Sequence, residues 1–278
     1  MSDFEGRVAV VTGAGAGIGL AIVRAFVEAG ASVVGVEIDG ERADALREEL
    51  ANADSRSMVI EGDVCSADTV AELASTVEAK FGGLDILINN VGDFLMLHKP
   101  LEMLTDEEVE RLYATNLRHV FSVTKAMIPL LRKRAPGSNV VSVSSIEGFR
   151  GIPNCAVYAA CKAGMTGFTQ SLALELGPAG IRVNLIAPET TDTPQVPVSQ
   201  MIAPEHKEHT DKWIPLGRFG TVEDMADGVL FLASPRAAWI TGTTLHIDGG
   251  ALAAAGWYRD NKGTWTNLPV TTGNGLNF

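Results

Sequence analysis

Short apolar runs of strand length alternate with amphipathic segments of helix length along most of these 278 residues, and that rhythm constrains the fold more than any other feature. Arg7–Thr12 reads as a first strand, because Val8, Val10 and Val11 are β-branched and Gly13 ends the run. Ile18, Ile22, Ala25, Phe26 and Ala29 then recur at spacings of three and four, one face of a helix that Gly30 stops. Further strands are expected at Ser32–Ile38, Arg56–Gly62, Leu84–Asn89, Asn139–Ser144, Arg182–Ala187 and Thr243–Ile247. Helices are expected up to Leu50, from Ala67 to Lys80, and over Thr105–Arg134, Ala156–Leu176 and Thr221–Ala233. Several of the strands are almost wholly apolar, which calls for helices on both faces of the sheet. Repeated strand–helix units joined by right-handed crossovers give an α/β chain: one domain with a doubly wound parallel sheet of about seven strands. Pro188–Pro215 interrupts the rhythm. Its five prolines predict a loop with a short helix, the kind of segment that closes over ligands.

Composition removes whole classes of function. There are 34 acidic against 22 basic side chains, a net charge of −12, so no Lys/Arg cluster is expected for nucleic acid or an anionic membrane surface. No apolar run reaches the roughly 18 residues of a spanning helix. Met1-Ser2-Asp3-Phe4-Glu5 lacks the character of a secretory signal, and a cytoplasmic location is expected. Cys65, Cys155 and Cys161 have neither the number nor the spacing of a disulfide framework or zinc cage. His206 and His209, three apart in a charged stretch, read as a solvated face, so no metal is expected.

Between the first strand and first helix lies Thr12-Gly13-Ala14-Gly15-Ala16-Gly17-Ile18-Gly19. Glycines let a backbone turn tightly against a pyrophosphate while the helix N-terminus offers N–H groups and a positive dipole end. The pattern is GxxxGxG through Gly13, Gly17 and Gly19, and a Walker loop is excluded because no Lys-Ser/Thr follows. Glu37, eighteen residues after Gly19, closes the second strand where an acid accepts hydrogen bonds from an adenosine ribose. A carboxylate there repels a 2′-phosphate, so the expected cofactor is NAD rather than NADP. Asp39 is the nearest competitor.

Tyr158 and Lys162 stand four apart on one face of a predicted helix. A phenol with a pKa of about 10 is a poor acid or base at neutral pH, and a neighbouring ammonium lowers it. Ser145, thirteen residues upstream, sits at the carboxyl end of the fifth strand, where open parallel sheets bind ligands.

Taken in order, GxxxGxG, Asn89-Asn90-Val91-Gly92, Asn116, Ser144-Ser145 and Tyr158-xxx-Lys162 resemble the compact branch of the short-chain dehydrogenase/reductase family, over about residues 5 to 250. The resemblance implies a Rossmann-type fold. It implies that Tyr158 is the general acid/base, that Lys162 tunes it and binds the nicotinamide ribose, that Ser145 orients the substrate oxygen, and that Asn116 positions a proton-relay water. It implies cofactor contacts from Gly13, Gly17, Ile18, Gly19, Asp63 and Val64 (the last two at adenine), from Asn90, Gly92, Tyr158 and Lys162, and from Pro188, Thr191 and Thr193. It also implies a homotetramer built on the two long helices around the fifth strand. One departure stands out: the family's Pro-Gly-xxx-Thr after the sixth strand is here Pro188-Glu189 up to Thr193, which puts the local backbone path in question.

The reading is an NAD-dependent oxidoreductase interconverting a secondary alcohol and a ketone. A cis-dihydrodiol dehydrogenase forming a catechol is the rival within the class, and a non-catalytic NAD-sensing protein the rival outside it. Glu147, Asp93, Phe94, Phe149, Arg150 and Gln195 are candidates for the substrate pocket. Residues 1–250 form the catalytic domain, and 251–278, carrying Trp257 and Trp265, form an extension packed on the same or a neighbouring subunit.

Overall fold

β-Branched residues and leucines place seven strands: β1 (Val8–Thr12), β2 (Ser32–Glu37), β3 (Met58–Glu61), β4 (Ile86–Asn89), β5 (Asn139–Val143), β6 (Arg182–Pro188) and β7 (Thr244–Ile247). They pair in the order β3-β2-β1-β4-β5-β6-β7, and every pairing in that sheet is parallel. The computed structural model describes residues 3–53, 56–198, 210–256, 258–260, 262–263 and 265–266. Expected and observed strands differ by one or two residues at their ends.

Among the described residues the longer helices are α1 (Gly17–Glu28), α2 (Gly40–Ala53), α3 (Ala67–Phe81), α4 (Asp106–Tyr113), α5 (His119–Arg134), α6 (Ala156–Leu176) and α7 (Val222–Ala233). Side-chain alternation along β1 shows how both faces are covered. Ala9 and Val11 join a core with Ile22 and Phe26 of α1, Leu46 of α2 and Val229 of α7. Val8 and Val10 join a second core with Leu73 of α3, Met127 and Leu131 of α5 and Leu172 of α6. Each fully buried aliphatic or aromatic side chain contributes about 1.5–3 kcal/mol, so these two layers hold the sheet rigid. The direction of winding reverses at β1, which pairs β2 on one side and β4 on the other; a cleft opens at such a point beyond the strand ends.

The single helix expected over Thr105–Arg134 is corrected. Thr105 caps its start reciprocally with Glu108, but Ala114–Arg118 form a wide π-helical turn between α4 and α5. The reason is local competition for carbonyls. Asn116 Nδ2 donates to Leu112 O at 2.9 Å, and His119 Nδ1 lies 3.2 Å from Ala114 O, so side chains occupy positions that backbone amides normally take.

Of the proline-rich loop, residues up to 198 and from 210 are described. Thr191 forms a parallel bridge to Gly220, and one helical turn spans Thr210–Trp213. His206 and His209 lie outside the described residues. Beyond Gly250, Ala251–Ala254 make a helical turn whose Ala251 is buried, and Tyr258–Arg259 pairs antiparallel with Trp265–Thr266. Trp257 also lies outside the described residues. No described helix is long and apolar enough to cross a membrane.

Candidate active site

The glycine turn is shaped by contacts that only hydrogen tolerates. Gly13 and Gly17 adopt φ of +64° and +53°, the left-handed region that favours glycine. A Cβ at Gly19 would stand 1.9 Å from the Gly13 carbonyl oxygen. Ala16, at the N-cap of α1, gives no side-chain cap, which leaves the first amides of the helix available to an anion. Glu37 is buried at the end of β2 and accepts from the amides of Gly15 (2.8 Å), Ile38 (3.0 Å) and Asp39 (3.1 Å). It therefore braces the floor of the turn. A dinucleotide pyrophosphate suits this turn, whose free helix amides and side-chain-free glycines let an anion approach the backbone.

Asn90, beyond β4, donates Nδ2 to the carbonyls of Thr12 (3.0 Å) and Gly13 (3.2 Å), tying the strand ends together. Thr12 Oγ1 in turn accepts from the Asn90 amide at 3.0 Å. At Gly92 a Cβ would meet Lys162 Nζ at 2.6 Å, so glycine there lets the lysine approach the β4 end. Asn116 is fully buried in the π turn, where its Oδ1 accepts from Asp93 N at 2.9 Å and its Nδ2 donates to Asp93 O at 2.7 Å. The widened turn is thus clamped to the loop after β4.

Ser145 follows β5 and caps a single 3-10 turn, Ile146–Gly148, accepting from Glu147 N at 3.1 Å. Two contacts lock this turn to α6. Ser144 Oγ donates to Lys162 O at 3.0 Å, and Gly148 packs so closely that a Cβ would stand 2.8 Å from the Lys162 carbonyl carbon. Tyr158 and Lys162 are both buried on one face of α6. The Ser145 hydroxyl is close enough to Tyr158 to favour its ionised form, and Lys162 Nζ donates to Val143 O at 3.1 Å. The ammonium lies 5.6 Å from the centre of the Tyr158 ring, and the Phe94 ring covers that ring at 4.5 Å.

The electrostatics differ from the expectation that the ammonium lowers the phenol. Burial dominates and pushes the Tyr158 phenol up; the Ser145 hydrogen bond opposes it, while the charges of Glu147, Cys155 and Asp93 add to the rise. Burial likewise pulls Lys162 down to about 8. Desolvation penalises the charged form of each group, and at this separation it outweighs their attraction.

The remaining expected residues are placed as follows. Asp63 is exposed after β3 and accepts from Cys65 N at 2.8 Å, while the Val64 side chain is in the core, so Val64 offers the cleft only backbone. Pro188 ends β6 in register with Ile247. Buried Thr191 donates Oγ1 to Glu189 O at 2.9 Å. Thr193 reaches over the glycine turn, 3.5 Å from where a Gly17 Cβ would be, and Ile18 is half-buried beside it. Glu189 has no left-handed backbone, so its non-glycine identity costs no strain. Its side chain is instead buried against Arg150, a contact that motif spacing does not reveal; the one available hint was a charge in a glycine's place. Among the described residues no group of three His, Cys, Asp or Glu is disposed to hold a metal ion.

Comparison with known proteins agrees with this geometry. A family model described as Enoyl-(Acyl carrier protein) reductase matches residues 13–251. A 3-oxoacyl-[acyl-carrier-protein] reductase of Thermotoga maritima is 36% identical over 246 residues, 88% of this chain and 98% of that protein. Among solved structures, a 3-ketoacyl-(acyl-carrier-protein) reductase from Brucella melitensis complexed with NADH superposes with a TM-score of 0.78 at 33% identity, covering 89% of this chain and 98% of that one. A 7α-hydroxysteroid dehydrogenase complexed with NADH and 7-oxo glycochenodeoxycholic acid gives 0.81 at 31% identity, covering 90% and 97%.

Proposed function

Because this chain belongs to the short-chain dehydrogenase/reductase family of oxidoreductases, which use a nicotinamide dinucleotide, we propose that it interconverts a secondary alcohol and a ketone with NAD and with Tyr158 as general acid/base. The observation that carries the reading is the buried Tyr158 phenol, acted on by the Ser145 hydroxyl, one helical turn from Lys162 on the same face of α6 and 5.6 Å from its ammonium. NAD preference is supported by the buried Glu37 carboxylate under Gly15, which disfavours a 2′-phosphate.

In this reading the main-chain amides at the start of α1 hold the pyrophosphate, and Glu37 holds the adenosine ribose. The nicotinamide, when bound, accepts the hydride. Ser145 and Tyr158 hydrogen-bond the substrate oxygen, and the phenolate form of Tyr158 takes the alcohol proton as the carbonyl develops. Lys162, anchored by Val143 O, supplies positive charge beside the phenol, and Asn116 holds the loop after β4 against the site. Phe94, tilted 43° against the Tyr158 ring at 4.5 Å, lies beside the proposed reaction centre. Assembly as a homotetramer, a cytoplasmic location, and a 251–278 extension resting on this or a neighbouring subunit belong to the same proposal; exposed Leu174 on α6 and Phe231 on α7 support an association surface.

The test is NADH formation across a panel of secondary alcohols, including vicinal cis-diols. Tyr158→Phe is expected to abolish turnover while NADH binding, followed by nicotinamide fluorescence, survives. Near-normal turnover by that variant refutes the assignment.

A further inference from the structure

Three charged side chains stand together immediately behind Ser145. Arg150 Nη2 donates to both oxygens of Glu189, at 2.7 and 3.1 Å, and to Glu147 Oε1 at 2.8 Å. Its Nε is 3.3 Å from each Glu147 oxygen. The Glu189 side chain is only 3% exposed. A carboxylate so buried is retained only when paired, because removing one partner leaves an uncompensated charge. Glu189 extends β6, whereas Glu147 belongs to the turn that Ser145 caps, so one guanidinium joins the two strand ends that flank the proposed reaction centre.

The bridge has a second consequence. The groups acting on Tyr158 are Ser145 and Glu147 from the turn after β5, Asp93 from the loop after β4, and Cys155 at the start of α6, with Lys162 on its own helix. Glu147 is the charge among them that Arg150 contacts. We propose that Arg150, held between Glu147 and Glu189, is a positioning residue for the reaction: it fixes the Ser145 turn against the end of β6 and offsets part of the negative charge that Glu147 brings near the Tyr158 phenol. In this role it acts through Ser145 and Tyr158. The family's glycine has no side chain with which to form this bridge, which accounts for the glutamate here.

This inference rests on the proposed function, and the experiment separates the two. Amide exchange by mass spectrometry on the full-length protein needs no substrate. In Arg150→Met and in the milder Glu189→Gln, exchange over residues 145–150 and 189–193 is expected to quicken about tenfold, with β1–β3 unchanged and Arg150→Lys intermediate. The kinetic arm is the pH profile of kcat/KM for the alcohol that the panel turns over fastest. Its basic-form limb moves to higher pH in Arg150→Met and returns in Arg150→Met/Glu147→Gln, a rescue that a merely structural role does not produce. Unchanged exchange in both single variants, or a limb that Glu147→Gln fails to restore, overturns the inference. Wild-type protein that oxidises no alcohol sinks the proposed function instead, and the exchange arm still judges the bridge.

Discussion

Gly19→Ala tests the cofactor cradle at its tightest contact. The new methyl would sit 1.9 Å from Gly13 O and 2.7 Å from Asn90 Nδ2. Close carbon–oxygen contacts settle near 3.3 Å, so the turn and α1 must separate by about 1.4 Å. Neither neighbour is free to yield: the Gly13 carbonyl accepts from Asn90, and Asn90 is itself held by Thr12. Overpacking of this kind costs about 1–3 kcal/mol. Expressed wholly in binding, that weakens NADH roughly 5- to 150-fold. Gly82→Ala is the control. Gly82 caps α3 with φ +71° and nothing within 4 Å of its added Cβ, so the control strains the backbone away from the cleft. The assay is NADH fluorescence titration beside a thermal melt for each variant. Gly82→Ala should lower the melting midpoint with wild-type affinity, whereas Gly19→Ala should lose affinity. If Gly19→Ala binds NADH within about threefold of wild type, the reading of this turn as a pyrophosphate cradle fails.

Lys162→Met should end turnover yet melt higher than wild type at pH 7. Burial holds Lys162 near 8 against 10.5 in the unfolded chain, so the folded state binds fewer protons between those values and wild-type stability rises with pH across that window. The advantage of the variant should therefore shrink as melts are repeated toward pH 10; an advantage that grows with pH contradicts the sign. Glu37→Ala removes both the brace under Gly15 and the charge opposing a 2′-phosphate. It should weaken NADH and narrow the gap to NADPH by about tenfold, read by parallel fluorescence titrations, and an unchanged preference refutes the role given to Glu37.

Local chemistry made the fold legible. Val8, Val10 and Val11 packed into five residues announce a strand, Gly30 ends α1 by its own backbone freedom, and Tyr158 and Lys162 share a helix face because four residues make about one turn. The same holds for the glycine turn and for Ser145 at a strand end, since each depends on neighbours within a few positions. The long helix was misjudged at Asn116, because apolar spacing does not register a side chain that takes a carbonyl four residues back.

Read unaided, then, the residue order determines the parallel sheet, the dinucleotide turn and the proton-transfer candidates, all of which follow from short-range spacing and backbone sterics. Tertiary structure alone decided that Arg150 meets Glu189, 39 positions away, and that the phenol is raised rather than lowered. Both outcomes depend on how far water is excluded and which charges the closed fold brings within a few ångströms, and neither quantity is a property of any short stretch of chain.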